Sequence, residues 1–281
     1  MKIALCNEVI RGWDIGRQAA FAAALGYDGL EIAPFTLDAN GPQALDAAAL
    51  SRIRKAVEAE GIAVSGLHWL LVAPDGLSIT AAAAGIRQRT QDTIEALITM
   101  CAALGGAYLI HGSPAQRVLP DDNQAAARAR ALDHFRHAAE AAGRAGVSYL
   151  LEPLSPAQTA FVNTLDEAAA IVGTVDGAHF SAMIDCCSAA QAEAAPIPEL
   201  LSRHLPTGLI RHVHFNDPNL RGPGQGELDF LPIVQRLIEL DYDGWIGVEP
   251  FDYVPDGPAA AARAIGTIRA LEQAAISSRS R

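Results

Sequence analysis

Eight short apolar runs, each followed by a longer amphipathic stretch, set the limits on what this chain can fold into. The runs are Lys2–Asn7, Gly29–Ala33, Ala63–Trp69, Ala107–His111, Val147–Glu152, His179–Asp185, Leu209–Phe215 and Gly244–Glu249. Each is bounded by Gly, Pro or Asp, the pattern of a buried β-strand. Helical patterns follow at Ile15–Leu25, Asp46–Glu60, Ala83–Leu104, Asn123–Ala145, Thr164–Gly173, Pro198–His204, Phe230–Leu240 and Ala259–Gln273. Gly26, Gly61, Gly105 and Gly146 fall where a left-handed residue closes a helix, and Thr164 with Glu167 forms a capping box. The sixth helical pattern, around Glu193–His204, is crowded by Pro196, Pro198 and Pro206.

Strands alternating with helices connect in parallel, and eight of them form either an open doubly wound sheet or a closed barrel. Asn7-Glu8-Val9-Ile10 follows the first strand, without the Gly-x-Gly-x-x-Gly turn of a dinucleotide-binding sheet. The glycine-rich stretch Gly222-Pro223-Gly224-Gln225-Gly226 comes late and lacks the Lys-Ser/Thr of a phosphate loop. The expected fold is therefore an α/β (β/α)8 TIM barrel, which also accounts for 281 residues as one domain. That domain is assigned to residues 1–275, with a disordered tail at 276–281 ending in SSRSR.

Composition narrows the function classes. Half the residues are hydrophobic and 19% are charged, enough for a large core. The net charge of −11 disfavours a surface that grips nucleic acid. Four cysteines are too few for a disulfide framework, so reduced thiols and a cytoplasmic location are expected. No run reaches the roughly 18 apolar residues of a membrane span, and the N-terminal apolar run is too short for a signal peptide.

In a barrel the chemistry gathers at the carboxyl ends of the strands. The polar residues there are Asn7, Glu31, His68 with Trp69, His111, Glu152, Asp185, His212 with His214, and Glu249. A carboxylate closing an apolar strand is costly to bury unless it is paired or binds a metal. Glu152, Asp185 and Glu249 at one rim would repel one another without a cation. With one histidine they form an oxygen-rich donor set that suits Mn²⁺, Co²⁺ or Mg²⁺. His214 lies nearer the rim than His212 and is the preferred ligand. His68 and His111 read equally well as pocket residues or as satisfied core histidines. Trp69, Phe35, Phe251 and Tyr253 could wall a pocket or pack the core.

Leu151-Glu152-Pro153-Leu154, Phe161-Val162-Asn163-Thr164, Ile184-Asp185, His212-Val213-His214-Phe215-Asn216-Asp217, Pro223-Gly224-Gln225-Gly226-Glu227-Leu228-Asp229-Phe230 and Gly247-Val248-Glu249-Pro250-Phe251 occur in this order along the strand–helix units. With them the chain resembles the sugar isomerase/epimerase superfamily, with its xylose-isomerase-like barrel, over nearly its whole length. The resemblance implies a metal, Mn²⁺ first, held by Glu152, Asp185, His214 and Glu249. It also implies that Glu152 and Glu249 act as paired acid and base in ketose 3-epimerisation or isomerisation through a metal-stabilised enediolate. Arg221 corresponds to the family's substrate-contacting arginine. Two positions depart from the epimerase pattern: Ser188 stands where a histidine is usual, and Gln158 where a glutamate is common. Both keep hydrogen-bonding capacity and lose a titratable group. The substrate-binding candidates are thus Arg221, Ser188, Gln158, His68, His111 and Trp69.

The expected ligand is a small sugar or polyol, and the resemblance implies a homodimer or homotetramer. A free sugar is preferred over a phosphorylated one, since Arg221 and Arg117 are the only basic groups placed near the rim. A metal-dependent dehydratase of a keto-polyol such as an inosose or dehydroshikimate is the alternative within enzymes. A barrel that binds a sugar without turnover is the alternative of another class. DNA-repair chemistry of the endonuclease IV type is disfavoured by the charge and by the small number of ligands.

Overall fold

The computed structural model describes residues 1–120 and 122–279. Eight parallel strands close into a barrel in chain order: β1 (Lys2–Cys6), β2 (Gly29–Ile32), β3 (Ala63–Leu67), β4 (Tyr108–His111), β5 (Ser148–Leu151), β6 (Phe180–Asp185), β7 (Ile210–Phe215) and β8 (Trp245–Val248). Every strand falls inside the run that the apolar pattern marked. Pairing of β1 with β8, Lys2 opposite Trp245 through Leu5 opposite Val248, completes the ring.

The outer layer contains α1 (Ile15–Leu25), α2 (Ala47–Glu58), α3 (Ala84–Leu104), α4 (Gln124–Ala145), α5 (Leu165–Val175), α6 (Cys186–Ala192), α7 (Ile197–His204), α8 (Phe230–Glu239) and α9 (Gly257–Arg279). Their starts follow local chemistry. The side chains of Asp14, Asp46, Asn123 and Thr164 each accept a backbone N–H in the first turn of the helix they precede.

Two differences from the sequence pattern have physical causes. The sixth helical pattern forms α7 from Ile197 on, started by Pro196 and Pro198, and an additional short helix that the pattern did not mark, α6, precedes it directly after β6, capped by Asp185. The last helix runs to Arg279, so residues 276–279 of the expected tail continue α9. Residues 280 and 281 lie outside the described residues. No described helix is long and apolar enough to cross a membrane.

Strand alternation sorts the core into two parts. Tyr108, Ile110, Leu150 and Met183 cluster together with Trp245 against them. Leu109, Tyr149, Leu151, Ala182 and Ile184, the residues between them in sequence, pack instead with helical residues such as Phe135 and Ala138. The first set fills the barrel and the second joins it to the helices. This two-residue period decides which strand-end side chains can meet.

Candidate metal centre and sugar pocket

Glu152 lies two residues beyond Leu150, Asp185 two beyond Met183, and Glu249 four beyond Trp245, so each continues an inward-facing row. His214 pairs in register with Asp185 on one side and Gly247 on the other. One ligand atom from each of Glu152, Asp185, His214 and Glu249 lies within 4.8 Å of all the others. His214 Nδ1 is 2.9 Å from Glu249 Oε2, 3.7 Å from Glu152 Oε1 and 3.9 Å from Asp185 Oδ2. All four residues are buried.

The electrostatics of this cluster fit a divalent cation. Burial, reinforced by the Glu152 charge, pushes Asp185 up to about 6. Burial also pushes Glu249 up to about 7, although His214 pulls the other way. Burial alone would lower His214, but Glu249 and Glu31 raise it well above the usual histidine range. His214 Nδ1 nevertheless makes no hydrogen bond. Three carboxylates around one imidazole nitrogen leave charge repulsion that a cation bound by all four groups would relieve.

The backbone fixes the carboxylates closely. The Glu152 N–H donates to the His111 carbonyl at 3.2 Å, and Arg117 Nη1 donates to the Glu152 carbonyl at 2.9 Å. Gly112 is the next inward position after Ile110, and a Cβ there would overlap the Glu152 carboxylate. The space a side chain would take is used by the acid. Asp185 Oδ1 accepts the Ser188 N–H and its Oδ2 accepts from Asn216 Nδ2, both at 2.6 Å.

Two adjoining cavities open above the cluster and share Trp69, Glu152, Leu154, Gln158, Glu249 and Phe251 in their walls. The outer one encloses about 340 Å³ and adds Asp185, Cys187, Ser188 and Leu220. Trp69 stands edge-on between Phe35, with ring centres 6.4 Å apart, and Phe251, at 6.2 Å. Ser188 Oγ donates to Gln158 Oε1 at 3.3 Å, so the two positions that depart from the epimerase pattern touch one another. His68 lines the inner cavity, and its Nε2 meets Glu8 Oε2 at 2.9 Å.

Three basic or aromatic candidates sit elsewhere. His111 points outward, because Ile110 takes the inward position beside it. Its Nδ1 meets the Tyr149 hydroxyl at 2.7 Å and its ring packs edge-on against Phe135 of α4. Burial pushes it down to about 3, so it stays neutral. Arg221 lines neither cavity and donates from Nε to Asp252 Oδ2 at 2.8 Å. Arg117, the other basic group near the rim, is fully buried beneath Glu152 and cannot reach a phosphate in the pocket.

The sequence assigns no role to Glu8 or Asn216 and does not reveal that Glu31 meets His214, His68, His212 and Tyr108. Asn216 continues the alternation of His212 and His214, so the two-residue period could have drawn attention to it. Glu8 gives no such signal, since it lies in a 3-10 turn, Asn7–Ile10, whose direction the strand pattern does not set.

Residues 19–271 match the profile of the xylose isomerase-like TIM barrel family, and the chain belongs to that family. A 2-oxo-tetronate isomerase from Cupriavidus necator is 31% identical over 134 residues, 46% of this chain and 50% of that protein, so the matched segment spans half the relative's length. A fructoselysine 3-epimerase from Shigella flexneri is 23% identical over 264 residues, 89% of this chain and 90% of that one. The solved structure of 3-keto-D-glucoside 4-epimerase from E. coli superposes with a TM-score of 0.81 at 22% identity, covering 96% of this chain and 99% of that one, a likeness of fold. The family, with relatives that are isomerases and epimerases, places the chain in the sugar isomerase/epimerase superfamily.

Proposed function

We propose that this protein is a divalent-metal-dependent isomerase or 3-epimerase of a free ketose, with Glu152 and Glu249 exchanging protons with the carbon beside the carbonyl. The observation that carries the reading is the buried four-donor cluster in the floor of an otherwise largely apolar pocket. A divalent cation held by Glu152, Asp185, His214 and Glu249, Mn²⁺ first and Co²⁺ or Mg²⁺ next, would supply Lewis acidity toward the substrate's oxygens.

The chain's own residues account for the rest. β5 and β8 stand three places apart round the ring, so Glu152 and Glu249 approach a bound sugar from different sides. Glu249, pushed up to about 7, has the acidity of a group that can both take and return a proton near neutral pH. Ser188 and Gln158 offer hydrogen bonds to hydroxyl groups, while Trp69, Leu154 and Phe251 present apolar faces to the sugar ring. Among the described residues, the walls of both cavities contain no Lys or Arg, which supports an uncharged substrate over a phosphorylated or carboxylated one.

The test is incubation of the Mn²⁺-loaded protein with 2-ketohexoses in D₂O, followed by NMR. Deuterium at C3 with appearance of the C3 epimer, or at C1 or C2 with an aldose product, is expected. Release of water with an unsaturated or diketo product would move the protein to the lyases. Metal binding with no deuterium uptake from any ketose would leave a sugar-binding barrel.

A further inference from the structure

Glu31, on β2, lies at the centre of the barrel and is fully buried, yet among the described residues no Lys or Arg pairs with it. Its partners are other polar side chains that fill the barrel. Oε1 meets His214 Nε2 at 2.8 Å and lies 3.4 Å from His68 Nδ1. Oε2 accepts the Tyr108 hydroxyl at 2.6 Å and lies 3.1 Å from His212 Nε2. β8 leaves room for this arrangement. A Cβ at Gly247 would come within 2.7 Å of His214 Cδ2 and 2.9 Å of Glu31 Oε2. Three strands thus cooperate to bring Glu31 against the side of the His214 ring that faces away from the carboxylate cluster.

We infer that Glu31 is a positioning residue. By accepting the Nε2–H of His214 it fixes the tautomer and orientation of the ring, so that Nδ1 offers its lone pair to a divalent cation. The inference rests on the divalent-metal reading above. A neutral imidazole carries one N–H, and a carboxylate whose two oxygens both accept has no proton to offer. In the neutral, metal-bound ring the single hydrogen therefore sits on Nε2, which leaves the Nδ1 lone pair to the cation. Nδ1 is also the nitrogen that faces Glu152, Asp185 and Glu249 and makes no hydrogen bond. A carboxylate behind a ligating histidine holds the ring in place and raises its basicity toward the metal, and loss of such a partner typically weakens metal affinity about 10–100-fold. A carboxylate that merely balanced charge in the core would support folding and leave metal affinity unchanged.

The experiment is Mn²⁺ titration of the full-length, metal-free protein, compared among wild type, Glu31→Gln and Glu31→Leu. The glutamine has a single acceptor oxygen, so it can serve His214 or the Tyr108 hydroxyl but not both. Mn²⁺ affinity is expected to fall roughly 10–100-fold in Glu31→Gln, and further in Glu31→Leu. A measurement on the wild type stands beside this in case the variants do not fold. In the Mg²⁺-loaded, ¹⁵N-labelled protein, the His214 ring should show a protonated Nε2 and an unprotonated Nδ1. Folded variants that bind Mn²⁺ as tightly as wild type, or a loaded wild type with Nδ1 protonated, would overturn the inference and leave the metal site standing. A wild type that binds no divalent cation would overturn both readings together.

Discussion

The two halves of the barrel end their strands in buried polar groups and treat them differently. In the β1–β4 half most of these groups find neighbouring side chains or backbone, although Glu8 Oε1, His68 Nδ1 and His111 Nε2 make no hydrogen bond. Asn7 donates to Gln18 Oε1 at 3.1 Å and Thr36 Oγ1 at 2.8 Å and accepts the Ala33 N–H at 2.8 Å, while His68 is held by Glu8. In the β5–β8 half, three carboxylates and one imidazole converge, and the imidazole nitrogen among them has no hydrogen bond. Both halves are equally buried, so burial does not distinguish scaffold from site. Charge does: three carboxylates gathered round one imidazole repel one another unless a cation joins them, whereas among the described residues the β1–β4 half brings no such set of three acids together.

The sharpest way to break this contrast is pH. Divalent binding needs the carboxylates ionised and Nδ1 of His214 free of its proton. Asp185 at about 6 and Glu249 at about 7 both have raised values, so protons compete with the metal increasingly as pH falls through 7 and then 6. Mn²⁺ affinity should therefore drop by at least roughly two to three orders of magnitude between pH 8 and pH 5, each unit below a group's pKa giving about tenfold, with the proton that His214 must release adding to the fall. Calorimetry in buffers of different ionisation enthalpy would show protons released on binding. Affinity independent of pH would mean the cation, if any, sits elsewhere.

Gly112→Ala gives the next largest effect. The new methyl group meets only the end of the Glu152 side chain, which can swing aside, so the fold should survive. The displaced carboxylate should lower kcat on the order of 100-fold, the usual scale for a misplacement near 1 Å, with little change in Tm. A large fall in Tm with normal kcat in the folded fraction would assign Gly112 to packing instead.

The reverse behaviour is expected of His111→Gln. His111 lies in the layer between barrel and helices, hydrogen-bonded to Tyr149, so its replacement should cost about 1–3 kcal/mol of stability. kcat and KM should stay at wild-type values. A loss of activity without a loss of stability would return His111 to the pocket.

The fold was legible because eight apolar runs, most of them flanked by Gly, Pro or Asp, leave a strand–helix chain few choices. The clustering of these acids was legible because Glu152, Asp185 and Glu249 close apolar strands, where an acid needs a reason to be. The outward turn of His111 was hidden because strand direction depends on phase, and Gly112, just past the end of β4, supplies no side chain to reveal the inward row. Arg221 was placed by resemblance, and its pairing with Asp252 depends on where the loop after β8 folds back. α6 was missed because its cap, Asp185, also belongs to the cluster, and one residue serving two roles leaves one signal in the sequence.

The central claim is that Glu152, Asp185, His214 and Glu249 hold one divalent cation, and titration of metal-free protein with Mn²⁺, followed by calorimetry or electron paramagnetic resonance, tests it most directly. One ion should bind per wild-type chain, and the double variant Glu152→Gln/Glu249→Gln, which keeps side-chain size and removes two charges, should lose that binding while remaining folded. A wild type that binds no Mn²⁺, or a folded double variant that binds it as tightly as wild type, would contradict the account.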